Sequence, residues 1–160
     1  MKRGEPMMTT LFDGFYQMGF VARDLDRATR ALGESHGIHR FRRKRASEVM
    51  DSAHAWIGTM MIELIAIRPG APDIYEAYIP EDPAAVRLHH HGFRVADAAA
   101  WNAVNQRVEQ AGYATPMKGA VMDGQLNYLY VDTRPVTGIY SEYVYLTGAA
   151  TSIYDDVPHN

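Results

Sequence analysis

The second half of this chain repeats the first. Displaced by 73 positions, from 17 to 90, the sequence lays His90 on Gln17, Gly92 on Gly19, Phe93 on Phe20 and Asp97 on Asp24. Three identities and one pair of ligand-type side chains would mean little alone. They fall, however, within the same succession of elements in both halves, and self-similarity at a fixed shift indicates two copies of one supersecondary unit. Each copy opens on a strand-like run, 15–22 and 88–95. Each run leads to an aspartate able to cap a helix, Asp24 or Asp97, where its charge also suits the positive end of the helix dipole. Apolar residues then recur at spacings of three and four: Leu25, Ala28, Ala31 and Leu32 in one, Trp101, Val104, Val108 and Ala111 in the other. Gly33 or Gly37 ends the first helix and Gly112 the second.

Three β-rich stretches follow each helix, at 38–45, 53–57 and 60–67, then at 113–121, 126–132 and 139–146. The order is α+β: two tandem βαβββ modules forming a curved mixed-sheet cup. The expected division is an N-terminal arm 1–14, a first module 15–68, a proline- and glycine-rich connector 69–87 with a helical turn near Tyr75, a second module 88–146 and a tail 147–160. The tail shows no period and is expected to wrap the surface or fray. Translation could equally begin at Met7 or Met8.

Composition excludes several functions. Nineteen acidic against sixteen basic residues give a net charge of -3, too mild for nucleic acid or an anionic membrane as the main partner. With no cysteine, a disulfide scaffold, a thiolate metal site and a cysteine nucleophile are all ruled out. No apolar run approaches the roughly 18 residues of a spanning helix, and the opening residues are too polar for a secretory leader. A cytoplasmic protein is expected.

Strand side chains alternate between faces. If Met18 and Phe20 face the helix behind the sheet, Gln17, Gly19 and Val21 face the cup; likewise His90, Gly92 and Arg94 face it, and His91, Phe93 and Val95 do not. The last strand of each module carries one carboxylate in an apolar run, Glu63 and Glu142. A buried carboxylate is costly unless it is paired or bound to a cation. Gln17, Glu63, His90 and Glu142 thus form two module-related pairs offering oxygen and nitrogen to one divalent ion. Such donors suit Zn, Ni, Co, Mn or Fe(II) without choosing among them.

The residues Gln17-Met18-Gly19-Phe20-Val21-Ala22-Arg23-Asp24-Leu25 resemble the opening strand of the vicinal oxygen chelate superfamily, and His90-His91-Gly92-Phe93-Arg94-Val95-Ala96-Asp97 its repeat. Glu63-Leu64 and Glu142-Tyr143 resemble the pairs that end each module, and the residues from Tyr128 to Glu142 the closing hairpin of glyoxalase-like members. The resemblance spans residues 15–146. It implies paired modules around one divalent metal that chelates vicinal oxygens of a small-molecule substrate. Glyoxalase I members use Gln or His, Glu, His, Glu, and these four positions read Gln, Glu, His, Glu. Extradiol dioxygenases use two His and one Glu for Fe(II), and Gln17 stands where their first His would be. Glutathione-using members place Arg and Asn at the positions of Val21 and Ile67, and neither residue here binds a carboxylate.

The expected activity is a metal-dependent isomerase, epimerase or lyase working through an enolate or enediolate. Glu142 is expected to move the proton, Glu63 to be the partner base or permanent ligand, and Gln17 and His90 to hold the ion. Arg94 is the anion-binding candidate for substrate. The alternatives are an Fe(II) ring-cleaving dioxygenase and a non-catalytic small-molecule-binding protein of the resistance type. A homodimer is expected, because short curved sheets leave edges to cover. His89 and His91 are expected to point away from His90 as structural residues. The basic residues Arg40, Arg42, Arg43, Lys44 and Arg45 read as a solvated strand edge or an anion-steering patch. Tyr128, Tyr130, Tyr140, Tyr143 and Tyr145 read mainly as sheet packing. His54 and Trp56 are pocket candidates without a discriminating signal.

Overall fold

A computed structural model of the chain describes residues 10–160. Both alternative starts, Met7 and Met8, and the N-terminal arm up to residue 9 lie outside them. Eight strands form one sheet: β1 (Phe15–Ala22), β2 (Arg42–Ser47), β3 (Met50–Ile57), β4 (Met60–Ile67), β5 (Val86–Val95), β6 (Met117–Val121), β7 (Leu126–Val131) and β8 (Tyr140–Leu146). Their spatial order is β2-β3-β4-β1-β5-β8-β7-β6. Within each module the first strand runs parallel to the last, β1 to β4 and β5 to β8, and the modules join through the antiparallel pair β1–β5. The repeat is therefore a pseudo-two-fold about that central pair, within one chain.

Helices α1 (Leu25–His36) and α2 (Ala98–Gln110) begin where the aspartates indicate. Asp24 accepts from the backbone N–H of Asp26 and Arg27, and Asp97 from that of Ala100. Gly37, not Gly33, ends α1, in the left-handed region at φ 72° where a Cβ would be strained. The helices pack on the outer face as alternation requires: Ala22, Leu25, Ala28, Ala53 and Leu64 close one core, and Phe93, Val95, Val104, Val108, Leu129, Val131 and Tyr143 the other. A short helix α3 (Arg134–Thr137), for which the sequence shows no period, turns the chain between β7 and β8. No helix among the described residues is long and apolar enough to cross a membrane.

Several boundaries differ from expectation, β3 starting at Met50 rather than 53 and β5 at Val86 rather than 88 among them. β2 starts at Arg42 rather than 38, because the N–H groups of His39 and Arg40 are taken by the Asn160 side chain instead of a neighbouring strand. β6 starts at Met117 rather than 113, just after Pro116, which has no N–H for a ladder. The tail does not fray. Trp56 N–H donates to the Pro158 carbonyl and Asn160 N–H to that of Trp56, while Val157 is buried with Tyr16 and Met61. The connector forms a 3-10 turn, Asp73–Tyr78, which drives Tyr75 into the cup against Val21 and Ile65.

Candidate metal centre

Strand register assembles the centre in two rows across the sheet. One runs His54, Glu63, Gly19, His90 through β3, β4, β1 and β5; the other runs Gln17, Gly92, Glu142, Tyr130 through β1, β5, β8 and β7. The pseudo-two-fold exchanges them, placing Glu63 on Glu142, His90 on Gln17 and His54 on Tyr130. Each row has a glycine beside a ligand of the other module, so both ligands reach the cup without obstruction.

His90 Nε2 lies 3.4 Å from Glu63 Oε2 and 3.3 Å from Glu142 Oε2. It is within ion-pair reach of both but aligned for a hydrogen bond with neither, and among the described residues it is buried without a partner, as is Gln17 Oε1. Donor atoms of Glu63, His90 and Glu142 fall within 4.8 Å of one another. An orphaned, fully buried His90 Nε2 beside two carboxylates fits one divalent cation bound by oxygen and nitrogen, and Gln17 Oε1, opposite Gly92 on the neighbouring strand, is a further buried oxygen free to join it. Glu63, His90 and Glu142 meet in a single chain, with Gln17 on the same central strand pair.

The electrostatics follow from burial and pairing. Burial lowers the affinity of His90 for a proton, but Glu142 and then Glu63 more than reverse this, and its pKa is pushed up to about 9. Burial raises Glu63, yet the His54 hydrogen bond and the charges of His54 and His90 outweigh it and hold the carboxyl well below the usual range. Desolvation pushes the Tyr16 and Tyr130 phenols upward, aided by the nearby glutamates, so both stay protonated.

Two histidines take roles that alternation does not assign. His54 bonds Glu63 Oε1 through Nε2 at 3.0 Å, with Arg42 Nη2 3.5 Å from its Nδ1. An arginine can only donate, so His54 Nδ1 accepts and Nε2–H points at Glu63. His89 does not face away from His90. The β1–β5 register slips between Gly19/His90 and Phe20/Leu88, leaving His89 as the extra residue of a bulge. Its Nδ1 lies 2.9 Å from His90 Nδ1, and its Nε2 2.9 Å from the Ile74 carbonyl. His91 does take the outer face, bonded to Ser141 and packed on Phe93.

Arg94 shares the face of His90 by alternation and stands opposite Val144, two residues along β8 from Glu142, with its charge felt at Tyr154. Neither cavity at the glutamates includes it. Those cavities meet at Glu63, Glu142, Ala46, Val121 and Tyr128. One, of about 340 Å³, is walled by Val49, Met50, Ile65, Tyr75 and Met117. The other, of about 210 Å³, carries Arg42, Lys44, Ser52, His54 and Tyr154. The basic strand is therefore divided: Arg42 and Lys44 border the site, while Arg43 pairs with Asp26 on the outer face. Val21 and Ile67 join the apolar cluster around Tyr75.

No protein-family model matches the chain, and no curated protein matches its sequence. Solved structures do match its fold. A methylmalonyl-CoA epimerase from Mycobacterium tuberculosis aligns at TM-score 0.63 with 14% identity, over 90% of this chain and 97% of that one. Another methylmalonyl-CoA epimerase aligns at 0.61 with 16% identity, over 88% and 99%. A single-residue variant of the Streptomyces coelicolor methylmalonyl-CoA epimerase, in complex with 2-nitronate-propionyl-CoA, aligns at 0.58 with 15% identity, over 85% and 99%. At these identities the likeness shows the fold, and that fold is the one the repeat anticipates.

Proposed function

We propose that this chain, built on the vicinal-oxygen-chelate fold, is a divalent-metal-dependent isomerase, epimerase or lyase that moves a proton on the carbon beside a carbonyl. The reading is carried by the orphaned, buried His90 Nε2 beside the carboxylates of Glu63 and Glu142, with Gln17 Oε1 a further orphaned oxygen on the neighbouring strand. A bound divalent cation would supply Lewis-acid polarisation of the substrate oxygens.

The protein's own contribution is asymmetric. His54 fixes one oxygen of Glu63, which suits that residue to remain a ligand. At the module-related position beside Glu142 stands Tyr130, whose ring packs edge-on against His90. Among the described residues no side chain hydrogen-bonds the Glu142 carboxylate, and only His90 stands within ion-pair reach of it. A carboxylate that must take and return a proton needs that freedom, so Glu142 is the base in this account. The two cavities suit a substrate with an apolar group on one side of its carbonyl and a polar or anionic group on the other. That known structures of this fold include epimerases supports proton transfer of this kind. Arg94 becomes an outer contact in this account, and the apolar Val21 and Ile67 argue against glutathione adducts.

The test is exchange of the α proton. Protein loaded separately with Zn, Ni, Co or Mn is incubated in D2O with 2-oxoaldehyde adducts and acyl-CoA epimers and followed by NMR. Deuterium entering at the α carbon of one of them is expected. Oxygen uptake with a catechol and Fe(II), without exchange, would transfer the site to the ring-cleaving class; tight binding without either reaction would make it a sequestering protein. We also propose a homodimer, because among the described residues β2 and β6 end the sheet with no further strand beside them. Light scattering at micromolar concentration should give twice 18.0 kDa, and the monomer mass would refute it.

A further inference from the structure

We propose that His89 is a positioning residue that fixes the tautomer of His90, turning its lone pair toward the glutamates. The inference rests on the metal-centre reading and adds a residue to it.

His89 Nε2 is 2.9 Å from the carbonyl of Ile74. A carbonyl only accepts, so that nitrogen carries hydrogen. The ring is fully buried, stacked on Tyr75 at 4.7 Å and faced by Tyr78, Tyr130 and Tyr140. Among the described residues no carboxylate touches it, and an unpaired charge there would be costly. A neutral ring with hydrogen on Nε2 has its lone pair on Nδ1. His90 Nδ1, 2.9 Å away, must then donate, which leaves the lone pair of neutral His90 on Nε2, the nitrogen nearest Glu63 and Glu142. The relay runs from the connector's 3-10 turn through His89 to the centre, and it exists because the β5 bulge puts two consecutive residues on one side of the strand. Gln17, the module-related ligand, needs no such device, since an amide oxygen always presents lone pairs. An imidazole presents one only in the right tautomer.

Zinc affinity of the full chain, by chelator competition, tests this with two variants. His89→Phe keeps a ring against Tyr75 and removes the acceptor; zinc binding should weaken about 10–100-fold. His89→Asn restores an acceptor near the position of Nδ1 and should stay within a few-fold of wild type. In the zinc-loaded wild type, 15N NMR should show a hydrogen-bonded proton on His90 Nδ1 and the metal on Nε2. If His89→Phe does not fold, the spectrum and the Asn variant decide. Zinc on Nδ1, wild-type affinity in His89→Phe, or equal losses in both variants would overturn the proposal while the metal centre stands. A wild type that takes up no zinc would remove both.

Discussion

Gly19 stands opposite His90 in the β1–β5 pair, and a Cβ added there would lie 1.9 Å from the Cε1 of the imidazole. Gly92 stands in the same relation to Gln17, where a Cβ would lie 2.7 Å from Oε1 and 2.9 Å from the Gln17 Cβ. Each module thus supplies a ligand and the space for the other module's ligand. The identity of Gly19 and Gly92 under the repeat has this steric cause.

Gly19→Ala should therefore displace His90, which is walled in by His89 and Tyr130. The expected cost is that of an overpacked core, about 1–3 kcal/mol, or a fall of about 2–12 °C in Tm for a chain of this size. Zinc should no longer raise the Tm. Gly92→Ala should also cost stability, because the amide end of Gln17 can turn aside but its Cβ, 2.9 Å away, cannot. Calorimetry with and without zinc checks both, and unchanged melting with unchanged zinc response would contradict the packing argument.

Glu142→Gln should abolish turnover while the protein stays folded and still binds metal more weakly. The amide keeps the shape and one oxygen donor but cannot accept a proton, so the loss should fall on kcat, by about 10²–10⁴-fold. Glu63→Gln should cost less, because His54 can still bond its oxygen. Steady-state kinetics on the substrate found by α-proton exchange reads the contrast. The reverse ranking would exchange the roles of the two glutamates.

Protein stripped of metal by a chelator should show a defined pH response. His90 titrates near 9 against an ordinary 6.5, so its proton contributes stability that is complete below about 6.5 and lost as pH rises through 9. Glu63 titrates well below its ordinary 4.5, so its contribution is present above that value and lost as pH falls through its low folded pKa. The metal-free Tm should then be highest near pH 6.5, declining toward pH 9 as His90 loses its proton. It should also decline below 6.5, where the unfolded chain protonates His89, which burial keeps neutral in the fold with a pKa of about 3. At pH 7 zinc must displace the His90 proton, and calorimetry in buffers of different ionisation enthalpy should detect about one proton released. A flat Tm from pH 6 to 9 would show that the His90 proton is not coupled to folding.

The quartet and the modules are legible in the sequence because they follow local rules: aspartate caps, period-two alternation and a repeat that moves ligand onto ligand. Most of the differences come from what breaks those rules. Alternation sends His89 to the outer face because it makes no allowance for a bulge, which depends on how two strands meet. The tail reads as wrapping the surface or fraying, with no choice between the two, because it is held by backbone bonds to Trp56 and by the Asn160 amide, neither of which leaves a periodic signal. His54 is different, since its signal is present. Gly58, at φ 59°, opens the two-residue turn between β3 and β4, and counting back from Ile57 opposite Met60 reaches His54 opposite Glu63.

The central claim is that Gln17, Glu63, His90 and Glu142 together hold one divalent ion, and elemental analysis of the chain purified without added metal tests it most directly. About one divalent ion per chain is expected in wild type, with His90→Ala largely metal-free. A chelator should lower the wild-type Tm, because an ion bound only to the folded state stabilises it by mass action. A wild-type chain without metal, whose melting neither chelator nor added Zn, Ni, Co, Mn or Fe(II) alters, would contradict the account.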